Sequence, residues 1–105
     1  MGIAYADCAA GALYLEGKIV ARDERLGLAL CTRAAQAESA PAMRVLAEHY
    51  QASSPALSRY WYDQAAQRHD HAAQFRLGVM LSEGDGGAAN PAQARFWLEH
   101  AAMEG

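Results

Sequence analysis

Asn90-Pro91-Ala92-Gln93-Ala94-Arg95-Phe96-Trp97-Leu98-Glu99-His100-Ala101-Ala102 decides the fold, because its spacing occurs three times in the chain. The alanine pair Ala101-Ala102 has counterparts in Ala65-Ala66 and Ala34-Ala35. Four residues before the second alanine of each pair stands a larger side chain: Leu98, Tyr62 or Cys31. One residue earlier come Trp97, Trp61 and Leu30, and three further back the small residues Ala94, Ser58 and Gly27. Four residues before those lie Asn90, Ser54 and Asp23, all of the type that caps a helix N-terminus.

A second set precedes each block. Ala10-Gly11 with Tyr14 and Gly17 matches Leu46-Ala47 with Tyr50 and Ser53, and Leu77-Gly78 with Leu81 and Gly84. Five residues separate Gly17 from Asp23 and Gly84 from Asn90, whereas Ser53 runs directly into Ser54. A single deletion in the middle unit therefore accounts for the unequal offsets, and the underlying period is about 36 residues, in the range of helix-pair solenoids.

Each unit reads as two helices, A and B. The first A helix is expected from Ile3 to Glu16 and its B helix from Asp23 to Ala37. The second A helix starts at Pro41 and its partner opens at Ser54-Pro55. The third A helix covers about Asp70 to Glu83, with a partner opening at Asn90-Pro91. Proline suits the first helical turn, where its missing N–H costs nothing, and the preceding Ser or Asn can cap free amides. Gly17 and Gly84 end their helices by accepting a left-handed backbone. Gly11, Ala47 and Gly78 fall in mid-helix, where glycine is costly, so close approach of the partner helix at Gly27, Ser58 and Ala94 is the expected reason.

Composition agrees. The 105 residues suffice for one unit, and 25 of them are alanine, the best helix former and a small enough residue to let helices approach closely. The net charge of −3 and the lack of any basic run argue against nucleic acid as a partner. No stretch approaches the 18 apolar residues of a membrane span. Met1–Asp7 has neither the basic region nor the apolar block of a signal peptide, so a cytoplasmic location is expected. Cys8 and Cys31 read as two small buried thiols, although a bridge across one hairpin is conceivable.

The spacing Leu-Gly-x-x-Tyr-x-x-Gly, a short loop, Asp, Ala-x-x-Trp and Ala-Ala resembles the Sel1-like repeat, a relative of the tetratricopeptide repeat. The third unit carries it most fully, in Leu77-Gly78, Gly84, Asn90, Ala94, Trp97, Ala101-Ala102 and Gly105. The resemblance implies an all-α, α/α solenoid, a right-handed superhelix of three helix-turn-helix repeats at about 3–38, 39–69 and 70–105. It also implies that the A helices line a concave surface that binds partner proteins. On that geometry Tyr5, Cys8, Ala12, Arg44, Glu48, Gln51, Phe75, Val79 and Glu83 face the groove, a mixture suited to recognising a peptide or helix.

Residues that could carry chemistry are better explained by packing and turns. His69-Asp70-His71 falls in the turn before the third A helix, where Asp70 suits a cap, and residues two apart on a helix point to different sides. No cysteine or histidine spacing matches a metal site. Asp85-Gly86-Gly87 lacks the Lys-Ser/Thr of a phosphate loop. Trp61 and Trp97 recur at one repeat position, which marks packing residues. Neither an enzyme nor a cofactor is expected. The expected function is a scaffold or adaptor that binds a partner protein or peptide on the concave A-helix surface. Two alternatives stand beside it: a self-associating module, or a small inhibitor or immunity-type regulator of an effector enzyme. For self-association, the terminal repeat has no polar capping helix after it, so Phe96, Trp97 and Met103 are expected to meet a second copy.

Overall fold

The chain folds as successive antiparallel helices stacked in one direction. A computed structural model describes residues 24–104 of it. The helices are α1 (Glu24–Gln36), α2 (Ala40–Tyr50), α3 (Pro55–Gln67), α4 (His71–Glu83) and α5 (Pro91–Glu104), and the described residues contain no strand. Every substantial helix pairing joins elements adjacent in sequence: α1 with α2, α2 with α3, α3 with α4, and α4 with α5. That neighbour-only pattern, with overall extents of 42 × 28 × 21 Å, is the mark of a solenoid. α1, α3 and α5 are the B helices of the three repeats; α2 and α4 are the A helices of the second and third. Tyr5, Cys8, Gly11, Ala12 and Gly17, expected in a first A helix, lie outside the described residues. None of the described helices is long and apolar enough to cross a membrane.

The alanine pairs have a double use. Ala34, Ala35, Ala65 and Ala66 are buried, and their small side chains let the helices close up. Their carbonyls also end the helices. Glu38 N–H donates to Ala35 O and Ser39 N–H to Ala34 O; in the next repeat His69 N–H donates to Ala66 O and Asp70 N–H to Ala65 O. These paired bonds turn the chain through a left-handed residue, and Glu38 and His69 both take φ 66°. Neither is glycine, although a left-handed conformation costs an ordinary residue about 1–2 kcal/mol. Glu38→Gly should therefore raise stability by about 0.5–1 kcal/mol, after allowing for glycine's greater chain entropy and a surface pair lost to Arg68. Urea unfolding at fixed m-value checks this.

The next residue starts the following helix. Ser39 Oγ accepts from Ala42 N–H at 3.3 Å, and Asp70 Oδ1 accepts from Ala73 N–H at 2.9 Å. The second A helix thus begins one residue earlier than the expected Pro41, with Ser39 as its cap and Pro41 inside the first turn. Asn90 caps α5 as expected, accepting from Gln93 N–H at 3.2 Å. Ser54 does not cap α3 with its side chain. The five-residue deletion drives the chain straight from one helix into the next, and at φ −148°, ψ 79° Ser54 instead donates its own N–H to Tyr50 O.

The small mid-helix residues meet as their spacing requires. A Cβ on Gly78 would lie 2.7 Å from Leu98 Cγ and 3.3 Å from the Ala94 carbonyl oxygen. In the second repeat the same crossing is made by Ala47 and Ser58, whose hydroxyl donates to Ala47 O at 2.6 Å. Around these crossings lies the core of Cys31, Met43, Leu46, Tyr62, Leu77, Met80 and Leu81, with Trp61 and Trp97 packed against it half-buried.

Candidate functional site

Arg44 of α2 is the centre of a polar cluster that ties α2 to the N-terminus of α4 through side chains. Its Nε donates to Asp70 Oδ2 at 3.3 Å, and its Nη1 lies 3.5 Å from Glu48 Oε1 one turn along. The Asp70 side chain is 11% exposed and that of Glu48 54%, so the tie to Asp70 is the sheltered one. Burial works against the Arg44 charge, but Asp70 and then Glu48 outweigh it and hold its pKa above the ordinary arginine value. Asp70 consequently does two jobs. One oxygen caps α4 and the other receives the arginine of the preceding repeat.

Beneath this cluster lies Tyr62 of α3. Its ring is fully buried, and its hydroxyl has no hydrogen-bond partner. Burial raises the phenol pKa, the Glu48 carboxylate raises it further, Arg76 and Arg44 pull it down, and Asp70 adds to the rise. Charges carried by α2 and α4 thus act on one buried phenol. Because the folded-state pKa is raised, the neutral ring's contribution to stability is intact below about pH 10 and is lost as pH climbs through the folded value. Tyr62→Phe removes an unpartnered buried hydroxyl, so it should leave the midpoint at pH 7 unchanged or higher and weaken the stability loss above about pH 10. Thermal melts across that range read both effects.

The other groove candidates are placed as follows. Phe75 on α4 is 55% exposed, Val79 is half-buried, and Glu83 is exposed at the helix end. Gln51 is exposed in the turn after α2. Tyr5, Cys8 and Ala12 lie outside the described residues, and the relation of Cys8 to the buried Cys31 lies there with them. The structure brings Arg44 and Glu48 together and adds Asp70, which sequence reasoning did not assign to the face. The available signal was Asp70, which followed from capping; its second partner, 26 residues away, depends on how the repeats stack. At the far end, Phe96 is 52% and Met103 86% exposed, whereas Trp97 is half-buried against the core.

A second polar tie joins α3 to the loop between α4 and α5. Arg59 donates to Asp85 O at 3.4 Å and to Ala88 O at 3.0 Å. Gly86, at φ 75°, packs its α-carbon against the Pro55 carbonyl, where a side chain would collide. The glycines of this loop thus serve contact between repeats. Among the described residues no three His, Cys, Asp or Glu side chains lie close enough together to hold a metal ion.

The profile of the Sel1 repeat matches residues 4–39, 40–70 and 71–105. Among solved structures, a protective antigen present in uropathogenic Escherichia coli strains, displaying an SLR fold, superposes with a TM-score of 0.90 at 31% identity. The match covers 97% of this chain and 23% of that one, so the chain spans about a quarter of the antigen's length. A Sel1 repeat protein from Oxalobacter formigenes superposes with a TM-score of 0.87 at 28% identity, covering 99% of this chain and 82% of the other. No curated protein sequence matches the chain. Sel1 repeats form a non-catalytic scaffold that generally mediates protein–protein interaction. With three consecutive matches to the repeat and the helical solenoid they require, the chain belongs to the Sel1 repeat family.

Proposed function

We propose that the chain is a protein-binding adaptor whose A-helix face, built from α2 and α4, takes a peptide or helix of a partner protein. The observation that carries this reading is Phe75, an aromatic side chain 55% exposed on α4, the helix whose capping Asp70 holds Arg44 of α2. An exposed aromatic supplies a large contact area at low entropic cost, and Arg44, Glu48 and Arg76 supply both signs of charge to fix a partner's orientation. Arg44 is already oriented by Asp70, so a partner carboxylate would meet it without first ordering a long side chain.

Phe75→Ala and Glu48→Lys should each weaken partner binding at least about tenfold while leaving the circular dichroism spectrum and the thermal midpoint unchanged. Arg44→Ala is a less clean probe, because it also releases Asp70 from the neighbouring repeat. A photo-crosslinking residue at position 75 identifies the partner in source cells, and titration of that partner with the two variants gives the affinities. Unchanged affinity for both would remove this face from the reading.

A further inference from the structure

Arg59 and Asp63 on α3 are spaced to pair with each other one helical turn apart, as Arg95 and Glu99 do on α5 at 2.9 Å. On α3 that pair is open. Arg59 reaches instead to the loop between α4 and α5, where its two terminal nitrogens donate to Asp85 O and Ala88 O. Among the described residues the Asp63 carboxylate keeps one partner, the side-chain amide of Gln67, which donates to Oδ1 at 3.0 Å. A carboxylate can accept about four hydrogen bonds. The loop thus takes the arginine and leaves its acid short of donors.

That acid lines a groove of about 270 Å³ with Ala56, Arg59 and Tyr60 of α3, Gln93 of α5, and the two buried leucines Leu77 and Leu81 of α4. The Tyr60 side chain is 52% exposed, and Asp63 is half-buried. Small-molecule pockets usually measure roughly 300–1,000 Å³, so this space suits a single side chain better than a cofactor. Its lining brings together apolar surface, an aromatic ring open to solvent and a carboxylate that lacks donors. Packing between repeats does not require the ring or the acid. At the equivalent positions of α1 stand Ala29 and Thr32, and α1 packs on its neighbour without either.

We infer that this groove is a second interaction site, on the B-helix side of the stack, which takes an arginine side chain of a partner protein. Arginine matches each part of the lining. Its methylene stem covers Leu77 and Leu81, its flat guanidinium lies on the Tyr60 ring, and two of its N–H groups meet the Asp63 carboxylate. An acidic side chain fits poorly. The only cation in the lining is Arg59, and both of its terminal nitrogens already donate to the loop. The site shares no residue with the A-helix face of Arg44, Glu48 and Phe75, so the two readings stand or fall separately.

The test titrates the blocked peptide Gly-Gly-Arg-Gly-Gly into the isotope-labelled full chain and follows the amide chemical shifts. Saturable shifts should centre on Tyr60, Asp63 and Gln93. Peptides with citrulline or glutamate in place of the arginine should bind at least about fivefold more weakly, because the first lacks the charge and the second reverses it. Asp63→Asn keeps the shape of the side chain and should also cost at least about fivefold, and Tyr60→Leu about two- to fivefold. Glu99→Gln, on the acid that α5 already pairs, should leave the affinity unchanged, and all three variants should melt with the parent. Absence of a saturable shift in the groove would overturn the proposal. So would equal binding of the citrulline or glutamate peptide, or an Asp63→Asn protein that binds like the parent. Shifts confined to Arg44, Glu48 and Phe75 would also overturn it, and would assign the arginine to the A-helix face.

Discussion

A Gly86→Val protein is expected to lose about 3–4 kcal/mol of stability. Two costs combine. The residue sits at φ 75°, where a β-branched side chain is penalised by about 1–2 kcal/mol, and its Cβ would land on the Pro55 carbonyl oxygen at the start of α3. The nearest atoms are the Pro55 carbonyl and Arg59 Cβ, neither the far end of a flexible side chain, so the loop must lift off and Arg59 must give up its bonds to Asp85 O and Ala88 O. Gly84→Ala gives the comparison. It shares φ 75°, but its Cβ would find ordinary contacts at 3.4 Å and beyond, so only the conformational cost of about 1 kcal/mol applies. Urea titrations of the three proteins should rank them parent, Gly84→Ala, Gly86→Val. Equal midpoints for the two variants would show that the loop does not bear on α3.

Tyr62→Ala should cost about 3–5 kcal/mol, much of the 5–15 kcal/mol that a domain of this size commands. Tyr62 is the largest fully buried side chain among the described residues and feels the charges of both neighbouring A helices, so its removal leaves a large void in the core around α3. The cavity cannot be filled by collapse, because alanines already hold the surrounding helices at close approach. The useful contrast is Phe75→Ala, which removes a similar ring but from a site 55% exposed, and should change stability by no more than about 0.5 kcal/mol. Thermal melts at pH 7 separate the two. If Phe75→Ala proves as damaging as Tyr62→Ala, Phe75 is a packing residue and the binding face loses its anchor.

Much of this architecture was legible in the residues. The alanine pairs, the small residues at Gly78 and Ala94 or Ala47 and Ser58, and the caps Asp70 and Asn90 each act within a few residues or at a fixed repeat offset. Local hydrogen bonding and helix crossing therefore show directly in the spacing. Legibility failed where two local rules compete. Ser54 has the type and place of a cap, yet the deletion beside it sets a backbone that keeps its side chain from capping. At the start of α2 the cap is Ser39, two residues before Pro41, and the same serine closes the preceding helix end. Glu38 and His69 at positive φ carried no signal, since glycine is the usual mark of such a turn.

The polypeptide by itself determined the class of fold, the helix caps at Asp70 and Asn90, and the small residues that meet at the helix crossings. All of these follow from periodic burial and from backbone groups that must find partners nearby. Only the stacked structure decided which surface residues meet. Arg44 could have remained a solvent-exposed groove residue, but the rise from one repeat to the next brings Asp70 to it, and the same rise sets Arg59 over the loop of Gly86 and Gly87. Long side chains reach across repeats along several paths of similar cost, and the geometry of packed helices selects among them.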